Sequence, residues 1–343
     1  MTRAAVAVAA LLSGCGLPYI AQAAHGQLEL LGKRRPIEEV IRDPETPART
    51  AMLLAEIPKI KEYGRSYGLA TKRNYNHYVD IGRPAAVWFV GGADPVAFKP
   101  LRWCFPIAGC FAGLGWFDED DAAKHKRELD ARGLDTIMRP ASAYSTGGWF
   151  PDPVLSTMLG GGDSAYPDLC NVILHESVHA TVLVPDQPFF NESFASYVAD
   201  ALTEHWIDER FGRGSAEELA YRLGEATSLP RTARMLATYK ELKKVYDDKA
   251  LTREQKLEKK AKIIDEVVAD LKLRRRPNNA TLTEARVYNG GVSPLIDAHR
   301  ACGDLSKLIR AGKTLTRADF SKKLQDDLAP IGKLLGERCK QLR

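Results

Sequence analysis

The run His175-Glu176-Ser177-Val178-His179 constrains this chain more than any other stretch. Residues four apart share one face of a helix, so two imidazoles can aim at a single point. Glu176 lies one step round from His175, where it can stand beside a metal-bound water without ligating the metal. Two neutral imidazoles, one further ligand and an open position suit zinc hydrolysis. Glu176 would take the proton of the water and deliver it to a leaving amine. The flanks agree with a helix. Pro167 and Asp168 are good starters, Leu169, Val172 and Ile173 make an apolar stripe, and Val184-Pro185 ends it. Asp186-Gln187-Pro188 reads as a cap and first-turn proline for a second helix running to Phe211-Gly212. A short turn makes the two helices antiparallel neighbours. Glu192, on the first turns of the second helix, can then fold back and complete a zinc site with His175 and His179. The competing reading is a structural helix hairpin with two incidental histidines.

His-Glu-x-x-His followed by Asn191-Glu192-Ser193-Phe194-Ala195 resembles the gluzincin metallopeptidases, above all the alanyl and leukotriene-hydrolase type of zinc aminopeptidase. Here only twelve residues separate His179 from Glu192, fewer than in those enzymes. The wider chain resembles the predicted bacterial aminopeptidases that are often lipoproteins. The matching stretches are 26–31, 103–110, 144–153, the zinc segment and 277–280.

The resemblance implies a gluzincin-like catalytic core within an α+β, mainly helical fold that has a small sheet and a long helical C-terminal part. Residues 16–343 would form one metallopeptidase domain, with the sheet and substrate edge strand in 16–160 and the zinc helices in 161–343. It also implies that the strand before the zinc helix, Thr136 to Ser145, hydrogen-bonds the substrate backbone. Tyr144, Gly147 and Gly148 would line the cleft; an ordinary glycine turn with core aromatics is the alternative. Such enzymes place an oxyanion-stabilising tyrosine well after the third ligand, and Tyr288 is the first candidate, against a plain core tyrosine. Tyr197, on the same helix as Glu192, falls on its far side. Asn278 and Asn279 either bind the substrate main chain or cap the helix that begins there. Aminopeptidases of the better-known type carry a Gly-x-x-Glu-Asn element that grips the free amine, and no match precedes the zinc helix. An endopeptidase therefore stands beside the aminopeptidase reading, and a non-catalytic peptide-binding lipoprotein with a vestigial zinc site is a third.

The chain start reads as an export signal. A short basic lead, Met1-Thr2-Arg3, precedes the apolar run Ala4 to Leu12, which is too short to span a bilayer. Leu12-Ser13-Gly14-Cys15 resembles the bacterial lipobox, which would make 1–15 a lipoprotein signal peptide and Cys15 the lipidated first mature residue. Gly16 in place of Asp favours the outer membrane, on the periplasmic side. A plain signal peptide with a buried Cys15 is the alternative. Outside the cytoplasm disulfides persist, so Cys104 can pair with Cys110, and Cys302 with Cys339. Cys170, turned off the ligand face, is left as a small buried residue.

The 343 residues are 45% hydrophobic, ample for a large core, and the net charge of +5 is mild. Tyr246 is the sole aromatic within the basic runs, too little for a base-stacking surface, so no nucleic-acid partner is expected. A peptide substrate, a membrane reached through the lipid and a monomeric state are the expected partners and assembly. Tyr75 to Val79, Ala85 to Val90 and Leu134 to Tyr144 read as strands, and Gly91-Gly92-Ala93-Asp94-Pro95 as a turn. Asp118 to Asp121 suit a first helical turn. Ser215 to Arg276 reads as long charged helices, with Leu257, Ile263, Ile264, Val267 and Leu271 facing a core.

Overall fold

A computed structural model describes residues 16–105, 109–144 and 151–342. Cys15, Gly147 and Gly148 lie outside the described residues. The chain is mainly helical with small sheets, an α+β fold as expected.

Helix α1 (Leu17–Lys33) leads into β1 (Arg35–Pro36), α2 (Ile37–Arg42) and α3 (Ala48–Ser66). Then come β2 (His77–Val79), β3 (Val87–Ala93), β4 (Trp103–Phe105), β5 (Gly109–Phe111), β6 (Gly113–Trp116), α4 (Glu119–Ala131), β7 (Asp135–Ala141) and β8 (Val154–Leu155). One sheet has the order β6-β3-β7, all antiparallel; a second has the order β1-β2-β8; β4 and β5 form a hairpin. Of the turn expected over Gly91 to Pro95, the two glycines are instead the far half of β3, where Gly91 pairs with Ile137 and Gly92 with Thr136. The reversal falls later, where Asp94 Oδ1 accepts the Val96 N–H. At β7 the strand is an edge, which accommodates Pro140, a residue with no N–H to give. The acidic turn behaves as read: Asp118 caps α4 by accepting the Asp121 N–H at 3.0 Å.

Helix α1 lies on β6, where Gln22 donates to the Gly115 carbonyl and accepts from the Phe117 N–H. Gly26 faces the Phe117 ring, and a Cβ there would fall 2.3 Å from ring carbons, so only glycine allows this approach.

The C-terminal part is helical: α5 (Ala165–His179), α6 (Pro188–Arg210), α7 (Ala216–Asp247), α8 (Arg253–Asp270), α9 (Asn279–Asn289), α10 (Val292–Cys302), α11 (Leu305–Gly312) and α12 (Ala329–Gln341). The main core joins α3, α5, α6 and α10 to α12 through residues such as Leu54, Ile57, Leu174, Phe190, Phe194 and Leu335. The Cys302–Cys339 disulfide ties α10 to α12, and Cys104–Cys110 staples the β4–β5 hairpin. Cys170 is free and buried. A second core collects Met235, Leu242, Ile263, Ile264 and Val267 of α7 and α8 with Leu282 of α9. Leu257, expected to join it, is 39% exposed and lies outside this core. Helix α7 runs unbroken through Pro230. Among the described residues no helix is long and apolar enough to cross a membrane.

Candidate metal centre

Helices α5 and α6 are joined by the turn 180–187, and one side chain closes it. Asn191 accepts the Val184 N–H and donates to the Val184 carbonyl, both at 2.9 Å. That two-bond clamp sets the angle between the helices and so the position of the next residue, Glu192. Below it, the stripe Leu169, Ile173 and Leu174 is fully buried against the main core. Burying that stripe turns His175 and His179 toward α6.

The three expected ligands meet. His175 Nε2 and His179 Nε2 are 3.1 Å apart, and the two Glu192 oxygens lie 3.4 and 3.5 Å from them. Together they form a group that could hold a metal ion. The donor set fits one: two imidazole nitrogens crowd to a shared point in front of a carboxylate, where a single cation satisfies all three. Burial opposes ionisation of Glu192, but the two histidines overcome it and hold its carboxyl far below the usual range. His179 is the counterpart: burial disfavours its charge, while Glu192 and Glu176 raise its proton affinity above the ordinary value. The buried Nδ1 of His179 has no hydrogen-bond partner among the described residues.

Glu176 stands beside the group. Desolvation raises its proton affinity above that of an ordinary carboxylate; Glu192 and Asp152 add to this, while the two histidines oppose it. A carboxyl so raised holds a proton more readily than an ordinary carboxylate, which suits it to take and return one. Tyr288 also reaches the centre, its ring stacked near that of His175 with centroids 6.4 Å apart. Burial first, then Glu192, pushes its phenol well above the ordinary value, so it stays a hydrogen donor. Helix α9, which carries Tyr288, is pinned to α6 by a residue whose role the sequence did not reveal. Ser193 Oγ donates to the Val287 carbonyl at 2.8 Å and accepts the Gly291 N–H at 3.1 Å. A Cβ on Gly291 would fall 2.7 Å from that of Ser193, so glycine permits the contact. Its only sequence signal was its place directly after Glu192.

Other expected residues lie elsewhere. Asn278 and Asn279, read as substrate contacts or helix caps, bond within the fold. Asn278 caps α9 by accepting the Thr281 N–H, and its amide donates to the Thr136 carbonyl of β7 at 2.7 Å. Asn279 is fully buried, with its amide on the Asp94 carbonyl and its oxygen on the Tyr246 hydroxyl. Tyr144 packs edge-on against Phe117, with ring centroids 5.1 Å apart. The Tyr197 hydroxyl bonds His299 Nδ1 at 2.8 Å.

A cavity of about 440 Å³ opens beside the first turns of α5. Asn171 and Val172, one turn before His175, form one wall; Asp168, Asp200 and Glu225 bring three carboxyls from α5, α6 and α7. No lysine or arginine lines it among the described residues. Burial raises the proton affinity of all three, and Asp200 and Glu204 raise that of Glu225 further.

Fold and site define a class: a mainly helical α+β chain presenting a His-His-Glu group able to hold a metal, with a buried glutamate of raised proton affinity alongside. A family model described as "Putative aminopeptidase" matches residues 18–326, and the chain belongs to that family. No curated protein and no solved structure matches it.

Proposed function

We propose that this protein is a zinc-dependent aminopeptidase of gluzincin type, with His175, His179 and Glu192 as the zinc ligands. The observation that carries the reading is the convergence of those three side chains with Glu176 beside them. Zinc held there would act as a Lewis acid toward a peptide carbonyl and make water more acidic. Glu176 takes a proton from the attacking water and passes it to the nitrogen of the departing peptide. Tyr288 donates a hydrogen bond to the oxygen of the scissile carbonyl as negative charge builds on it. β7 is an edge strand of its sheet, and beyond Thr136, whose carbonyl Asn278 takes, that edge supports binding of an extended peptide by strand addition.

The cavity of Asp168, Asp200 and Glu225 favours an exopeptidase over an endopeptidase. Its carboxyls lack a basic partner in its walls, and a free amino terminus would supply one. The same proposal includes a lipid on Cys15, a site on the periplasmic side of the outer membrane, a monomer, and no nucleic-acid partner. The two disulfides support an oxidising compartment.

Glu176→Gln tests the chemistry. It should abolish peptide turnover, roughly a hundredfold loss or more, while zinc content by mass spectrometry stays at one per chain. Near-normal turnover overturns the role of Glu176. Comparing one peptide with free and acetylated amino termini tests the exopeptidase reading, which fails if both are cut alike.

A further inference from the structure

The phenol of Tyr288 has a neighbour on a different element. Glu284 and Tyr288 are four apart on α9 and share a face. Opposite them, on β7, stands Arg139. Its guanidinium forms an ion pair with Glu284 and lies close enough to the Tyr288 phenol for each to act on the other's charge. It also lies over the Phe89 ring of the neighbouring strand, 5.1 Å from the centroid. The ion pair and the ring together hold the guanidinium in place beside Tyr288. Arg139 itself is directly opposite Phe89 in the β3–β7 register, so the sheet sets where it stands.

The direction of a hydrogen bond between Arg139 and Tyr288 follows from chemistry. A guanidinium has five N–H donors and no acceptor. The phenolic oxygen must therefore accept from Arg139, and the phenol's own hydrogen is left to point elsewhere. The Tyr288 ring also stacks near that of His175, and Glu192 and Glu176 act on its phenol. Accepting from a cation also polarises the O–H and makes it a stronger donor. Glu284 balances the charge of Arg139 and fixes its rotamer.

We infer that Arg139 is a positioning residue: by donating to the Tyr288 oxygen it directs that hydroxyl's hydrogen toward the reaction centre beside His175. The inference rests on the proposed role of Tyr288 as the donor to the substrate oxygen. Arg139 touches neither the metal ligands nor the scissile bond in this role. Lysine would not replace it, because one ammonium lacks the planar fork that serves a carboxylate and a phenol together.

The test combines kinetics with a probe that needs no turnover. The full chain is prepared with 3-fluorotyrosine at position 288, and its fluorine resonance is recorded with and without zinc. Arg139→Gln should shift or broaden that resonance in both states while zinc content stays unchanged. In unlabelled enzyme, Arg139→Gln should lower kcat roughly tenfold to a hundredfold with little change in KM. Arg139→Lys should recover only part of the loss. Adding Arg139→Gln to Tyr288→Phe should cost nothing further, because both act through one hydroxyl. Losses that multiply in the double variant, or a resonance that does not move, would overturn the inference and leave the role of Tyr288 standing. Parent-like kcat in Tyr288→Phe would instead overturn that role and the inference with it.

Discussion

Replacing Asn279 with alanine separates a structural residue from a substrate contact, and the cost can be worked from its bonds. The side chain is fully buried. Its amide donates to the Asp94 carbonyl at 2.8 Å and more weakly to the Ala97 carbonyl at 3.4 Å, and its oxygen accepts from the Tyr246 hydroxyl at 2.8 Å. These bonds join the turn after β3 to the start of α9 and to α7. Alanine leaves the buried Tyr246 hydroxyl without its partner and the Asp94 carbonyl with only the Ala97 N–H at 3.5 Å, at about 1–3 kcal/mol each, so about 2–6 kcal/mol in all. The Asn279 N–H bond to Asp135 at 2.6 Å is backbone and survives. For 343 residues the unfolding entropy is about 0.7 kcal/mol per kelvin. The expected fall in Tm is therefore about 3–9 °C, with KM for a peptide unchanged in the folded protein. Thermal unfolding followed by circular dichroism, with a urea titration alongside, measures it. A Tm within about 1 °C of the parent, or a raised KM at parent-like stability, would refute this account of Asn279.

Three further outcomes follow from the same structure. Zinc at about a thousand times its dissociation constant should add about 4 kcal/mol, or about 6 °C on the same entropy scale; an equal gain in Glu192→Ala would refute the ligand set. Replacing Cys302 and Cys339 by alanine opens a link across 37 positions and should cost about 4 kcal/mol by loop entropy, read as a lower urea midpoint. Lys61, 6% exposed and bonded to the Asn74 carbonyl at 2.6 Å, has its pKa brought down to about 8 by burial and then by Arg65, against the pull of Glu38. Between that value and the unfolded one the unfolded chain binds more protons, so this group's contribution is lost as pH falls through about 8 and grows toward pH 10.5. The stability of the parent relative to Lys61→Met should thus rise between pH 7.5 and pH 10, and a gap constant in urea titrations at the two values would contradict it.

What this sequence determined by itself was local. The four-residue spacing of His175 and His179 needs only a helix to bring them together. Pro188 and the short turn need only a hairpin to return Glu192 to them. Helical periodicity and the cysteine inventory were legible for the same reason, since each depends on neighbours in the chain or on simple pairing. Tertiary structure decided whatever depends on which surfaces meet. Asparagine caps helices as readily as it binds a peptide, so only the nearness of Thr136, Asp94 and Tyr246 assigned Asn278 and Asn279 to the fold. Gly91 and Gly92 suit a turn, yet pairing with Ile137 and Thr136 drew them into a strand. Asp168, Asp200 and Glu225 come from three helices and carry no shared spacing, so their cavity exists only once those helices pack. Arg139 gained its neighbours Glu284 and Tyr288 in the same way, because a long-range contact is set by the burial of whole faces and leaves no period in the chain to read.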